Sequence, residues 1–314
     1  MSVAVLGAGA FGTSLAIALS RAGVPVTLWA RDTRDMARTR ENTLRLPGYG
    51  FPDDLTLTDD LSDVTAKIVL LAVPMQKLRA FLTDNAAQFT GRTLVATCKG
   101  IDLETGESPA DLIARLCPEA TPALLSGPSF AVDVAAGLPT ALTLAARDPE
   151  PLQHALTAGN LRLYRATDMV GVGVGGAMKN VIAIACGLAI GAGLGESARA
   201  ALMTRGFAEM NRFAIARGAE PDTLQGLSGF GDLTLTCTSE KSRNFAFGLS
   251  LGRGEAQPEG VTIEGQATAK AVSIAAEKAG IDMPITNMVV AVMSGRITIH
   301  EARELLLARP LKEE

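Results

Sequence analysis

Val3-Ala4-Val5-Leu6-Gly7-Ala8-Gly9-Ala10-Phe11-Gly12 opens the chain with a short apolar run that breaks into Gly-x-Gly-x-x-Gly. The run predicts a buried strand. Gly7 lets the chain turn sharply out of it, Gly9 lets backbone N–H groups come close to a pyrophosphate, and Gly12 lets the next helix pack on the strand. Thr13 to Arg21 carries Leu15, Ile17, Ala18 and Leu19 and stops at Gly23, which reads as that helix. With a strand before and a helix after, the spacing predicts dinucleotide binding at a helix N-terminus.

Working outward, Val24 to Ala30 reads as a second strand with Arg31-Asp32 at its carboxyl end. An acid there would bind a ribose 2′-hydroxyl, and an arginine can hold a 2′-phosphate. Arg31 comes first, so NADP is expected to be preferred over NAD. The other reading of Arg31 is a solvated surface residue. Pro47 to Asp54 reads as a loop, and Ala66 to Val73, closed by Pro74, has the near-continuous apolar character of a parallel strand buried on both faces. Strand and helix patterns then alternate to about Ala158. Near Thr167 β-branched runs give way to Ala, Gly, Met and Leu at helical spacing. The expected architecture is α/β: a doubly wound, mostly parallel, Rossmann-like sheet in residues 1–167, then an all-helical unit in residues 168–314, with a cleft where the two meet.

Composition narrows the function. The 314 residues are 47% hydrophobic and 20% charged, with a net charge of −4. No basic surface is expected, hence no nucleic-acid partner. Cys98, Cys117, Cys186 and Cys237 are far apart, which predicts neither a metal site nor a disulfide framework and fits a reducing cytoplasm. The apolar run Met169 to Gly195 has the length of a membrane span, but Lys179 and Asn180 interrupt it, and it reads as a buried helix without stable membrane insertion.

Five short stretches carry candidate chemistry. Lys99-Gly100 follows a strand, so its ammonium would either point toward the cofactor crevice or be that of an ordinary solvated lysine. Ser126-Gly127-Pro128-Ser129 lies between a strand and a helix, where Ser129 either meets a ligand oxygen or caps the helix. Lys179 inside an apolar helix must face an acid, a ligand or a wet cleft, because an unpaired buried ammonium is costly. Burial or a nearby cation, for which Lys99 is the candidate, would lower its pKa toward acid–base use. Asp232, in the turn Gly229-Phe230-Gly231, could cap the next helix or turn inward to Lys179. Ser242-Arg243-Asn244 reads as a capped helix start, a ready phosphate site or an ordinary surface cap.

In this order the landmarks resemble the bacterial NAD(P)-dependent sn-glycerol-3-phosphate dehydrogenases, from Gly7 to about Gly265. The likeness rests on Gly-Ala-Gly-Ala-Phe-Gly-Thr, Cys-Lys99-Gly, Ser-Gly-Pro-Ser129-Phe-Ala, Gly-Gly-Ala-Met-Lys179-Asn180, Gly-Asp232-Leu, Ser242-Arg243-Asn244 with Gly248, and Glu264-Gly. The resemblance implies reduction of dihydroxyacetone phosphate to sn-glycerol 3-phosphate for glycerophospholipid synthesis, in a cytoplasmic homodimer. It makes Lys179 the proton donor and acceptor, and Lys99, Gly127, Ser129, Asp232, Ser242, Arg243 and Asn244 the contacts of a small phosphorylated substrate. Cofactor contacts would be Gly7, Gly9, Ala10, Phe11 and Gly12 of the turn, with Arg31, Lys99, Ala131, Arg243 and Glu264. Thr262 departs from the aliphatic residue many members carry near the cofactor, and Tyr49 is the match for a loop tyrosine. Two rivals are a dehydrogenase of another small acid, of the β-hydroxyacid or ketopantoate kind, and a non-catalytic NADP sensor. The β-hydroxyacid family places an Asn four residues after its lysine, where this chain has Ala183.

Overall fold

A computed structural model describes residues 1–255 and 263–308; Thr262 therefore lies outside the described residues. The first part runs β1 (Val3–Leu6), α1 (Ala10–Arg21), β2 (Val26–Trp29), α2 (Arg34–Thr39), β3 (Thr56–Thr58), β4 (Ile68–Leu71), α3 (Met75–Asn85) and β5 (Thr93–Ala96). It continues with α4 (Pro109–Leu116), β6 (Thr121–Ser126), α5 (Ala131–Ala135), β7 (Thr140–Ala146), α6 (Glu150–Leu156) and β8 (Leu161–Ala166). Seven helices follow: α7 (Met169–Gly191), α8 (Gly195–Ala216), α9 (Asp232–Cys237), α10 (Arg243–Gly252), α11 (Glu264–Ala279), α12 (Pro284–Met293) and α13 (Ile299–Leu307).

All eight strands form one sheet in the order β3-β2-β1-β4-β5-β6-β7-β8, parallel except where β7 runs against β6. Val3 and Val5 of β1 face one apolar layer and Ala4 and Leu6 the other, which is why the run is apolar at every position. Strand order reverses between β1 and β4, and the crevice outside the carboxyl ends of those strands is where such sheets bind ligands.

Sequence reading passes over β3, α2 and β8. The last is an edge strand whose residues alternate between buried Leu161 and Leu163 and exposed Arg162 and Tyr164, so it lacks the continuous apolar run of its neighbours. The other two carry little signal: β3 has three residues and α2 buries only Met36.

The helical part is built around α7. Asp168 caps it by accepting from the Gly171 N–H at 2.8 Å. Its length and apolar character would suffice to cross a membrane, yet most of its residues are buried among neighbouring helices. Its glycines explain how closely those helices come. A Cβ on Gly187 or Gly191 would collide with the carbonyls of Phe245 and Leu249 on α10, and one on Gly248 or Gly252 with those of Ile184 and Leu188 on α7. Two helices therefore meet backbone to backbone along one seam.

Candidate active site

The first landmark is the β1–α1 turn. Gly7 has φ +113°, and a Cβ there would sit 2.7 Å from the Ala72 carbonyl oxygen after β4. At Gly12 a Cβ would drive into the Gly7 carbonyl and to 2.7 Å from Cβ of Ala72. Nothing lies within 4 Å of a Cβ built on Gly9, which is exposed at the N-terminus of α1. Two glycines are thus used up by packing and the middle one leaves open space, which is the cradle a pyrophosphate requires. Ala10 and Phe11 form the first turn of α1, both half-buried.

Arg31 is exposed one residue beyond Ala30 at the carboxyl end of β2. Asp32 beside it is engaged: its Oδ1 accepts from the backbone N–H and from Nε of Arg34, each at 3.0 Å. Hydrogen bonding to Arg34 pulls the Asp32 carboxyl down to about 2.

The densest chemistry lies where the carboxyl ends of β5 and β6 meet α7 and α9. Lys179 donates from Nζ to Asp232 Oδ1 at 2.7 Å and to Thr236 Oγ1 at 2.8 Å. Lys99 donates to the other carboxylate oxygen, Oδ2, at 2.5 Å and to the Gly127 carbonyl at 3.1 Å. One carboxylate, 1% exposed, therefore joins two ammonium groups from the two halves of the chain. Burial brings Lys179 down to about 8; Asp232 opposes that shift, and the Lys99 charge adds to it.

Asp232 turns inward because of the segment before it. Leu227–Gly231 forms a wide helical turn that leads directly into α9, and Gly175 of α7 lets it close in, since a Cβ there would lie 2.6 Å from the Ser228 carbonyl oxygen. Asp232 and Thr236, four residues apart, then share the helix face turned to Lys179. Thr236 is a site residue the sequence reading missed, and the i, i+4 spacing from Asp232 was its signal. Gln76 is another: its side-chain amide donates to the Ile101 carbonyl at 2.8 Å and accepts from the Leu103 N–H at 3.1 Å, clamping the loop behind Lys99.

Ser129 is half-buried, with its hydroxyl 3.3 Å from the same Gly127 carbonyl that Lys99 uses, and Ala131 begins the short α5 next to it. Ser242 is the N-cap of α10, accepting from the Phe245 N–H at 3.3 Å. Arg243 is exposed in the first turn. Asn244 behaves differently from a free ligand contact. Its Nδ2 donates to Asn180 Oδ1 at 2.9 Å and its Oδ1 accepts from the Gly265 N–H at 3.0 Å, so its side chain ties α7, α10 and α11 together. Glu264, first residue of α11, is held above the usual carboxylate range by burial, against the opposing charges of Arg243, Lys179 and Lys99. Lys99 and Lys179 are thus both bonded to Asp232 and Lys99 to Gly127 as well, Glu264 interacts through charge with both lysines and with Arg243, and Arg31 stands apart on the β2 side of the switch point.

Dinucleotide-dependent dehydrogenases are the class such a sheet and crevice define. Comparison with known proteins narrows it. The models for the NAD-dependent glycerol-3-phosphate dehydrogenase N-terminus and C-terminus match residues 2–151 and 168–304. The chain is 60% identical to glycerol-3-phosphate dehydrogenase [NAD(P)+] of a Ruegeria species and 58% identical to that of Paracoccus denitrificans, each over the full length of both chains. The crystal structure of glycerol-3-phosphate dehydrogenase from Coxiella burnetii superposes with a TM-score of 0.93 at 36% identity, covering 98% of this chain and 99% of that one. The chain belongs to the NAD-dependent glycerol-3-phosphate dehydrogenase family.

Proposed function

We propose that the protein reduces dihydroxyacetone phosphate to sn-glycerol 3-phosphate, with NADPH preferred and NADH accepted, and that Lys179 supplies the proton. The observation that carries this reading is the buried Lys99–Asp232–Lys179 arrangement, with the Lys179 ammonium brought down to about 8. A lysine in that range is protonated near neutrality and gives up its proton readily, as a general acid for a developing alkoxide should. Bound in the crevice, the nicotinamide supplies the hydride. Asp232 holds both ammonium groups toward one point and keeps Lys179 charged until substrate arrives, and Lys99 adds a fixed positive charge beside the reacting oxygen.

The substrate phosphate is assigned to the start of α10, where Arg243 stands with the first-turn N–H groups of a ten-residue helix. Ser242 supports that site as the cap, and Asn244 contributes through its backbone, its side chain being engaged with Asn180 and Gly265. Gly127 and Ser129 would meet the substrate beside Lys99. Holding the phosphate away from the reacting carbon positions the carbonyl, which is the larger part of what the site must do. For the cofactor, β2 and β5 lie three strand spacings apart, about 14 Å, so an extended dinucleotide reaches from Arg31 across Gly9 to Lys99 and Glu264. Ala131 and Phe11 line that path. The engagement of Asp32 by Arg34 leaves Arg31 as the group available to a 2′-phosphate.

As a cytoplasmic homodimer the protein would pair through its helical part, which exposes Phe230 and Ile215. Mixing purified protein with NADPH and dihydroxyacetone phosphate, with ketopantoate as the control substrate, tests the activity. Loss of nicotinamide absorbance with dihydroxyacetone phosphate alone is expected; turnover of ketopantoate instead, or of neither, overturns it.

A further inference from the structure

Residues 40–55 fold into a loop tied to itself. The Arg40 guanidinium donates to the carbonyls of Pro52 and Leu55, the Phe51 N–H donates to the Arg40 carbonyl, and Glu41 accepts from the Gly48 N–H. From this loop one side chain reaches into the glycine turn. Asn42, 4% exposed, donates from Nδ2 to the Ala8 carbonyl at 2.9 Å and to Thr13 Oγ1 at 2.8 Å, while its Oδ1 accepts from the Arg45 N–H at 3.2 Å.

The carbonyl it holds belongs to the Ala8–Gly9 peptide. In a trans peptide the C=O and N–H point in opposite directions, so a carbonyl fixed inward on Asn42 turns the Gly9 N–H outward, to the open side of the turn. Glycine on the far side of that bond resists rotation of the plane less than any other residue would. Some other group must therefore hold it. Thr13, the second partner, donates its own N–H to the Gly9 carbonyl at 2.9 Å, so the same amide grips the turn on both sides of Gly9.

We propose that Asn42 is a positioning residue for the cofactor: it sets the orientation of the Ala8–Gly9 peptide plane and so presents the Gly9 N–H to the pyrophosphate. The inference rests on the reading of the glycine turn as the cofactor site.

Asn42→Asp tests it with almost no change in shape. The variant keeps the acceptor for the Arg45 N–H and replaces the donor to Ala8 with an oxygen that repels its carbonyl. Cofactor affinity is measured by nicotinamide fluorescence without substrate, folding by circular dichroism, and the peptide orientation by the Gly9 amide resonance. The expected result is a rise in Kd of roughly 3- to 30-fold, equal for NADH and NADPH, with kcat at saturating cofactor and the substrate KM within about twofold of wild type. The Gly9 resonance should move in Asn42→Asp and Asn42→Ala alike. A folded Asn42→Asp with unchanged Kd overturns the proposal, as does a loss confined to NADPH, which would put Asn42 at the ribose. If neither variant folds, Asn42→Ser, whose side chain is too short to reach the Ala8 carbonyl, is read by the same outcomes. Failure of the wild type to bind either cofactor would overturn the cofactor reading instead.

Discussion

Asp232→Asn offers the sharpest test of how the crevice handles its proton. The substitution keeps the shape of the side chain and an acceptor for Lys179, but removes the charge that lies 2.7 Å from its Nζ. That charge raises the Lys179 pKa, while burial and Lys99 lower it, and the balance stands at about 8. An opposite charge at this range is worth about 1–3 pKa units, so without it Lys179 should titrate near 5–7. At pH 7 its protonated fraction falls from about nine-tenths to between roughly one-half and one-hundredth. Ketone reduction needs the protonated form. Its rate should therefore drop about 2- to 100-fold at pH 7, with the limb that declines as pH rises displaced toward acid. Alcohol oxidation needs the neutral form, so its limb should move to acid as well and its rate at pH 7 be spared or raised. Single-turnover rates in both directions across pH 5–10 measure this, and general damage to the fold would lower both. A reduction limb left at its wild-type position in a folded Asp232→Asn enzyme would refute the argument that this carboxylate sets the charge on Lys179.

Lys179→Ala should lower turnover about 10²- to 10⁴-fold while cofactor still binds, checked by steady-state rates beside cofactor titration; an active variant with an unchanged pH profile removes the lysine from the mechanism. Arg243→Ala should chiefly raise KM for the phosphorylated substrate, and unchanged saturation would move the phosphate site elsewhere. Arg31→Ala should weaken NADPH about 10- to 150-fold relative to NADH, the loss of one charge-assisted pair. Equal weakening of both cofactors in direct titration would show that Arg31 does not read the 2′-phosphate.

Most of the cofactor half was legible along the chain because its determinants are local. A buried parallel strand must be apolar at every position, and a turn that packs as tightly as Gly7 and Gly12 do tolerates only glycine, so Val3 to Gly12 carries its meaning in its own ten residues. The edge strand β8 escaped because one of its faces is solvated. Lys179 could also be singled out, since an ammonium within an apolar helix is costly wherever it lies. Its partner could not. Whether Asp232 capped α9 or turned inward depended on how closely the Leu227–Gly231 turn approached α7, and that was settled by Gly175, more than fifty residues away. The same holds for Asn244, which the family resemblance made a substrate contact and packing set between Asn180 and Gly265, and for Asn42, whose loop composition gave no hint of the glycine turn it holds. Local rules fix which residues must be buried or must turn; a hydrogen bond across tens of residues exists only once the packing of distant elements has brought donor and acceptor within 3 Å.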